Sequence, residues 1–400
     1  MVWLKQKPSQ NLRTRFEERF SDIDLDGFTK ELQKLEDKIR ADFGADDRKH
    51  LKKIIRWGRL SSFAGYATGM LIPNPVSAYL ISQGKFTRWT TIAHHVLHKA
   101  YDKSEDIGPH NSKTFAKGWR RFFDWLDWID PAAWEKEHNV LHHYRLGERF
   151  DPDVFEDNVL PARMIKAPRW LKVSILSIIA SQWKWSYYAP STIKQLFSPK
   201  KKDGADSYFD RLQFGDRTFW PWTKEGWALM RLSYIPYVVI NFGLVPAGFL
   251  VFGIPAAVNI FLTLVMAEII TNLHTFATIV PNHTGSDLYR FEGAPKDRQE
   301  FFIRQIVGSV NYKCGGDLND FLHGWLNYQI EHHVWPDMTL LQYQKAQPEL
   351  KALCEKYGVP YIQESVWTRL KKLISIFTGE ESMMAMEGKQ VRTAPMGTAS

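Results

Sequence analysis

Cysteine is nearly absent: Cys314 and Cys354 are the only two in 400 residues. Neither sits in a CxxC pair, so a disulfide framework and a zinc knuckle are both excluded, and the chain suits a reducing compartment. Charge of one sign is in small surplus, with 52 Lys and Arg against 44 Asp and Glu. The basic residues interleave with acidic ones and form no recognition motif, which leaves no case for a nucleic-acid partner. Apolar residues do not dominate either. At 44% apolar, 24% charged and a mean hydropathy of −0.33, most of the chain cannot lie in lipid, yet disorder, collagen and coiled-coil arrays are excluded too. No internal repeat of fixed period is present. The first twenty residues have scattered charges and no apolar core, unlike a secretory signal. Aromatic residues are what the chain has in excess, at 14% with 16 Trp. Such rings favour a membrane–water boundary, where the body is buried and the polar edge stays wet.

Charge-free runs locate the candidate membrane segments. Between Arg231 and Glu268 lie 36 residues without a charged side chain, rich in Val, Ile, Leu and Phe. A crossing needs roughly 20 apolar residues, so this run predicts a hairpin of two helices, turning at Pro246 or at Gly253-Ile254-Pro255. A second run, Leu60 to Gly84, is 25 residues long with Pro73-Asn74-Pro75 in its middle. It reads as one crossing, a re-entrant pair, or half of a hairpin whose second half continues past Lys85 and Arg88. A third, Val173 to Trp183, has only 11 residues between lysines and reads as a helix lying in the interface. Residues 12–56 mix both charges with apolar side chains at helical spacing (Leu32, Leu35, Ile39, Phe43), predicting soluble amphipathic helix. The stretch from Gly379 to Ser400 reads as a disordered tail.

Histidine carries the chemical signal. Three clusters hold eight of the 13 histidines: His94-His95-Val-Leu-His98, His138-Asn-Val-Leu-His142-His143 and Gln329-Ile-Glu-His332-His333. Four residues apart on an α-helix is one face, so His94 with His98, and His138 with His142, are expected to share a centre. Adjacent histidines diverge by roughly 100° and serve two metals more easily than one. Seven or more imidazoles suit borderline first-row metals such as iron, copper or zinc. No HExxH is present, which argues against zinc hydrolysis. The surplus of nitrogen ligands points to two metal ions.

An HxxxH box, an HxxxHH box and a QxxHH box divided by an apolar hairpin resemble the membrane-bound fatty acid desaturases, from about Leu60 to Tyr361. Leu326 to His333 (LNYQIEHH) resembles the third box of the front-end acyl desaturases, and Asp151-Pro152-Asp153 is a weaker match. The resemblance implies an all-α integral membrane protein with about four transmembrane helices and a cytosolic helical cap carrying a histidine-rich di-iron site. By matching position the ligands are His94, His98, His138, His142, His143, His332 and His333. The family supplies a further histidine near the end of its last span, where His274 and His283 both qualify; His274 lies closer to the apolar run, and Asn272 is a candidate partner through water. His323, where the subfamily usually has a small residue, is a candidate extra ligand or substrate contact. The second box has three residues between His138 and His142 where two is commoner, and Gln329 replaces a histidine found in many members. His95 and His110 match nothing and are expected not to bind. Three regions follow: 1–56 as an N-terminal soluble helical region, 57–361 as the desaturase-like membrane domain, and 362–400 as a C-terminal helix and disordered tail.

All three boxes must reach one metal pair, so an even number of crossings separates them. Lys52, Lys53, Arg56 and Arg59, with Lys200, Lys201 and Lys202, bias the box side toward the cytoplasm. Breaking an unactivated C–H bond is beyond general acid–base catalysis, whereas reduced iron with O2 provides an oxidant that abstracts hydrogen. The expected reaction is insertion of a cis double bond into a fatty acyl chain carried by a lipid or a thioester; a di-iron hydroxylase of alkyl or terpenoid chains is the alternative. No HPGG haem motif occurs, so electrons are expected from a separate ferredoxin or cytochrome b5 type protein. Trp325, Tyr328 and Trp335, beside the third box, are candidates to line the acyl path.

Overall fold

The computed structural model describes residues 13–197, 211–213 and 215–387. Lys200, Lys201 and Lys202 lie outside these residues, as does the end of the chain beyond Glu387.

The long charge-free run forms the expected hairpin. Its helices, Lys224–Phe252 and Ile254–His283, are 29 and 30 residues long. At 1.5 Å per residue each reaches about 44 Å, more than the roughly 30 Å of a hydrocarbon layer. The turn falls at Gly253, whose φ of +100° few other residues adopt. Pro246 does not break the chain. It and Pro236 each follow a π-helical turn, Val239–Leu244 and Met230–Tyr234, where the wider winding leaves the lost proline N–H unneeded. Only 17% and 39% of the apolar windows of these helices are buried within the protein. Val251, Ile254, Leu244 and Phe252 face outward, and so wide an unbroken apolar surface is incompatible with water. The chain is membrane-associated.

The second run breaks at Pro73-Asn74-Pro75 into two antiparallel helices, Ala45–Gly69 and Pro75–Phe86. The Asn74 side chain accepts the Ser77 N–H at 2.8 Å and so starts the second helix. Close approach explains Gly65: a Cβ there would lie 2.7 Å from Ile81 Cγ1 and 2.8 Å from its backbone nitrogen. Ala78 and Ile81 then pack on Ile260, Leu264 and Ala267 of the apolar hairpin. The second helix continues past Lys85 and Arg88 through a π turn, Thr87–Ala93, into His94–Leu97. Lys85 is neutralised on Glu268 at 3.3 Å. The helix Arg169–Ala180 spans only about 18 Å and exposes Trp170, Leu171 and Ile178 while burying Leu176 and Ala180.

A polar cap covers one end of the hairpins. Helix Leu25–Ala41 buries the expected Leu32, Leu35 and Ile39 together with Phe28, while Phe43 lies past its end and is partly buried, and the helix lies along Leu340–Tyr357. Arg40 pairs with Asp337 in a two-pronged contact at 2.6 and 2.8 Å. The N-terminal region is therefore not separate: its boundary at residue 56 falls inside the helix Ala45–Gly69, and its apolar side chains join the main core. The tail also departs from expectation. Met384–Glu387 is the central strand of a small parallel sheet between Arg13–Arg15 and Tyr289–Glu292, because Met383 and Met386 supply apolar surface that the core buries completely or nearly so. Among the described residues this sheet holds the three strands, and the other regular elements are helices.

Candidate metal centre

The three histidine boxes meet inside the cap. Donor nitrogens of His94, His98, His138, His143 and His332 all lie within 4.8 Å of one another, and so do those of His142, His283 and His333. The adjacent pairs are split between the two groups: His143 and His332 face the first, His142 and His333 the second. The pairing of His138 with His142 on one α-helical face is corrected. Glu135–His142 is a π-helical turn, in which residue i+5 returns to the starting face. The backbone bond runs from the His143 N–H to the His138 carbonyl, and the two Nε2 atoms stand 3.2 Å apart. His142 turns to the second group, although His138, His142 and Asp153 also converge.

Hydrogen bonds on the far side of several rings fix their direction. His142 Nδ1 meets Asp151 at 2.9 Å, His283 Nδ1 the Gly308 carbonyl at 3.0 Å, and His333 Nδ1 the amide oxygen of Gln305 at 3.1 Å. His332 Nδ1 meets the Tyr343 hydroxyl at 3.1 Å, and that hydroxyl donates onward to the Trp335 carbonyl. Each such ring donates Nδ1–H outward and keeps the Nε2 lone pair for the centre, the arrangement metal-binding histidines adopt. The inward Nε2 atoms face one another: His138 and His94 at 2.9 Å, His333 and His283 at 3.1 Å. Those of His98 and His332 are buried with no hydrogen-bond partner. Opposed lone pairs in a dry pocket are costly unless a cation lies between them, so the donor set fits metal ions.

Electrostatics agree. Burial first, and then repulsion among the rings, hold His94, His98, His138, His143, His332 and His333 well below the usual histidine pKa. They are neutral near pH 7, as ligands must be. His142 differs: burial pulls it down, but Asp151 and Asp153 outweigh burial and hold it above its ordinary value.

Several expected residues lie elsewhere. His274 does not reach either group; its Nε2 meets the Leu322 carbonyl at 3.0 Å and its ring stacks on Phe86. His283, nine residues further on, is the one whose turn carries it to the centre. His323 bonds the Asn319 carbonyl and rests beside Tyr312. Asn272 is occupied by Glu268 and the Lys184 N–H. His95 is held by the Thr91 carbonyl outside both groups, and His110 packs on Phe115. Trp325, Tyr328 and Trp335 are packing residues, with Trp325 bonded to the Leu340 carbonyl and Tyr328 to Asp320.

Other residues had no signal in the sequence. Gln305 and Tyr343 stand far from any box, and only the fold brings them to His333 and His332. Arg369, fully buried, pairs with Asp287 and holds the carbonyls of Pro281 and Thr284, on either side of His283. Gln329 lies with its amide nitrogen 3.0 Å from His283 Nε2 and 3.2 Å from His333 Nε2, where a further ring would otherwise stand.

A cavity of about 800 Å³ opens beside these rings. His94, His138, His142 and His283 form part of its wall. Its deep end is aromatic, with Trp89, Trp183 and Tyr188 nearly fully buried; Leu160 and Phe219, each at least 40% exposed, lie at its mouth. An apolar cavity with one polar wall holds a long apolar substrate and presents it to that wall.

Helices that leave an apolar hairpin to carry two imidazole groups into a dry cap define a membrane oxidoreductase. The comparison with known proteins makes this specific: the family model "Fatty acid desaturase" matches residues 71–365, and the chain belongs to that family. Among curated proteins it is similar to an NADPH-dependent stearoyl-CoA 9-desaturase of Mycobacterium tuberculosis, 22% identical over 376 residues, 88% of this chain and 81% of the relative. A Delta(8)-fatty-acid desaturase of Euglena gracilis is 25% identical over 60% of this chain and 54% of its own length. An acyl-lipid (9-3)-desaturase of Borago officinalis is 36% identical over 20% of this chain and 17% of its own.

Proposed function

We propose that this chain is an O2-dependent desaturase that introduces a cis double bond into a fatty acyl chain, with two iron ions as its resident metals. The observation that carries the reading is the pair of imidazole groups set side by side in the wall of an apolar cavity. His94, His98, His138, His143 and His332 would hold one ion. His142, His283 and His333 would hold the other, beside Gln329. Iron with O2 supplies the oxidising power that an unactivated C–H bond demands.

The rest is done by the protein's own groups. Trp89, Trp183, Phe276 and Tyr188 exclude water and keep the acyl chain extended past His94 and His138. Asp151, Gln305 and the Gly308 carbonyl hold three rings in the ligand tautomer. The names of the relatives support an acyl substrate joined to coenzyme A or to a lipid. We take both hairpins as crossing the bilayer, four passages in all. Lys52, Arg56 and Arg59 at the outer flank of the first favour a cytosolic cap, and a separate ferredoxin or cytochrome b5 type protein is the electron source.

The test is expression in a host lacking the activity, followed by mass spectrometry of its lipids and elemental analysis of the purified protein. A new acyl species lighter by two hydrogens, with iron in the active protein, is expected. A species heavier by one oxygen would make it a hydroxylase, and active protein without metal would end the reading.

A further inference from the structure

Where the acyl chain comes from is the next question, and its answer rests on the proposed desaturase function. The mouth of the cavity is framed by residues 159–180, whose side chains have the reverse of the polarity that water imposes. Their long cations turn inward. Lys172 Nζ lies 2.9 Å from the carbonyls of Arg163 and Thr378, and Arg163 reaches Glu156, the Ile376 carbonyl and the Ser382 hydroxyl. Their apolar side chains turn outward: Leu160, Met164, Ile165, Trp170 and Ile178 are 45%, 49%, 50%, 69% and 60% exposed. So many large apolar groups on one rim mark a contact surface. Lys166 and Arg169 are exposed among them, Arg169 paired with Glu380. Cations at the edge of an apolar face are the pattern of a segment lying on a membrane.

This rim continues the lipid-facing surface of the hairpin. Leu176, Ala180 and Trp183 share a core with Phe276 of the helix Ile254–His283, and Trp183 Nε1 donates to the Asn272 carbonyl at 2.9 Å. Asn272 lies about 27 Å along that helix from Ile254, close to the roughly 30 Å depth of a hydrocarbon layer. The rim is therefore level with the boundary between acyl chains and head groups. Val159, Leu160, Pro161, Ala162 and Ile179 belong both to it and to the cavity wall. An acyl chain passing over them exchanges one apolar surrounding for another without crossing water.

Charge in the cavity wall points the same way. Apart from the histidines, the charged lining among the described residues is Asp153, Asp157 and Arg211, and Arg211 is engaged by Asp157 at 3.2 Å. A polyphosphate head at this mouth would meet more carboxylate than cation.

We infer that the rim 159–180 seats on the bilayer surface, and that the substrate is an acyl chain still esterified to a membrane phospholipid, drawn sideways out of the leaflet into the cavity. Continuity with the hairpin selects lipid as the occupant of the rim. The inverted polarity of the rim explains why it is built to be exposed: Lys172 and Arg163 fasten it to the helix Val366–Thr378 from behind, leaving its apolar face to the membrane.

The test uses full-length enzyme in lipid nanodiscs, reduced by dithionite and then given O2, with products read by mass spectrometry. In one arm the discs are phosphatidylcholine carrying labelled stearoyl and oleoyl chains. In the other they are branched-chain ether lipids that cannot be desaturated, and the same labelled chains are added as coenzyme A thioesters. The lipid-bound chains are expected to lose two hydrogens faster than the thioesters, by roughly tenfold. Equal or faster reaction of the thioesters would overturn the inference. A second measurement does not depend on turnover. In a Cys314→Ser background, nitroxide labels are attached at Ile165→Cys on the rim and at Lys30→Cys on the cap helix Leu25–Ala41. The label at position 165 should be relaxed by O2 dissolved in lipid and shielded from an aqueous nickel chelate, and the label at position 30 should show the reverse. A rim label as open to the nickel chelate as the cap label would overturn the assignment, whatever the products. Ile165→Asp/Trp170→Asp should slow lipid-bound product roughly tenfold at unchanged metal content. If neither substrate yields product, the desaturase reading falls and the phospholipid substrate with it, while the labels still report whether the rim meets lipid.

Discussion

The two imidazole groups are built differently. The first is rich in rings and loosely tied: five histidines converge, with His332 anchored on Tyr343, while the buried Nδ1 of His143 has no partner. The second is poor in rings and tightly tied. Each of its three histidines donates to a fixed acceptor, and Gln329 stands where a fourth ring would fit. The first group would therefore hold an ion by number of donors and the second by their rigidity. A site of three fixed rings would leave more positions for exogenous ligands than one of five.

The sharpest way to break this comparison is to separate neighbours in sequence. His332→Ala and His333→Ala should each abolish product, yet remove different ions, lowering bound metal from about two to about one per chain. Metal analysis with spectroscopy of the remaining ion checks this, and an identical residual spectrum in the two variants would refute the division. Next comes Arg369→Met. It removes a buried guanidinium that ties Asp287 to the turn around His283, at a cost on the order of 3–5 kcal/mol. Thermal unfolding should register the loss, and the ion of the second group should be preferentially depleted. Gln305→Ala and Asp151→Asn should weaken metal affinity or activity by about 10- to 100-fold through the second group, measured by chelator competition.

A pH titration acts on both groups. The six rings held well below the usual histidine pKa take up protons more readily when the chain is unfolded. Their contribution to the stability of the metal-stripped protein is complete above about pH 6.5 and is lost as pH falls below it. His142, raised instead, opposes the trend, while His283, pushed down by burial to about 3, adds to it. Thermal unfolding of stripped protein between about pH 7 and pH 5 should show a falling midpoint. The smallest effect belongs to His274→Ala, His323→Ala and His110→Ala. These should leave metal content unchanged, with at most about 1 kcal/mol lost where a hydrogen bond goes.

Much of the centre was legible because the boxes are local. HxxxH and paired histidines are short patterns, and the divergence of adjacent residues already implied two centres. The period was misjudged in one place. Nothing in Glu135 to His142 announces a π turn, so the return of His143 to the face of His138 was not legible, although His142 also comes near His138. His274 seemed the better candidate from its distance along the chain, yet the three-ten turn at Val280–His283 and the grip of Arg369 bring His283 inward. The tail from Gly379 lacked any long apolar run, but two methionines on a strand sufficed once a sheet edge was present to receive them.

The sequence alone determined that a lipid-seeking hairpin separates three histidine boxes, since apolar length and ligand type are local properties. Which ring faces which ion, which distant residues hold the rings in place, and where a cavity opens beside them were decided only by tertiary structure. Those are matters of direction and contact between segments up to hundreds of residues apart, and no local pattern encodes them.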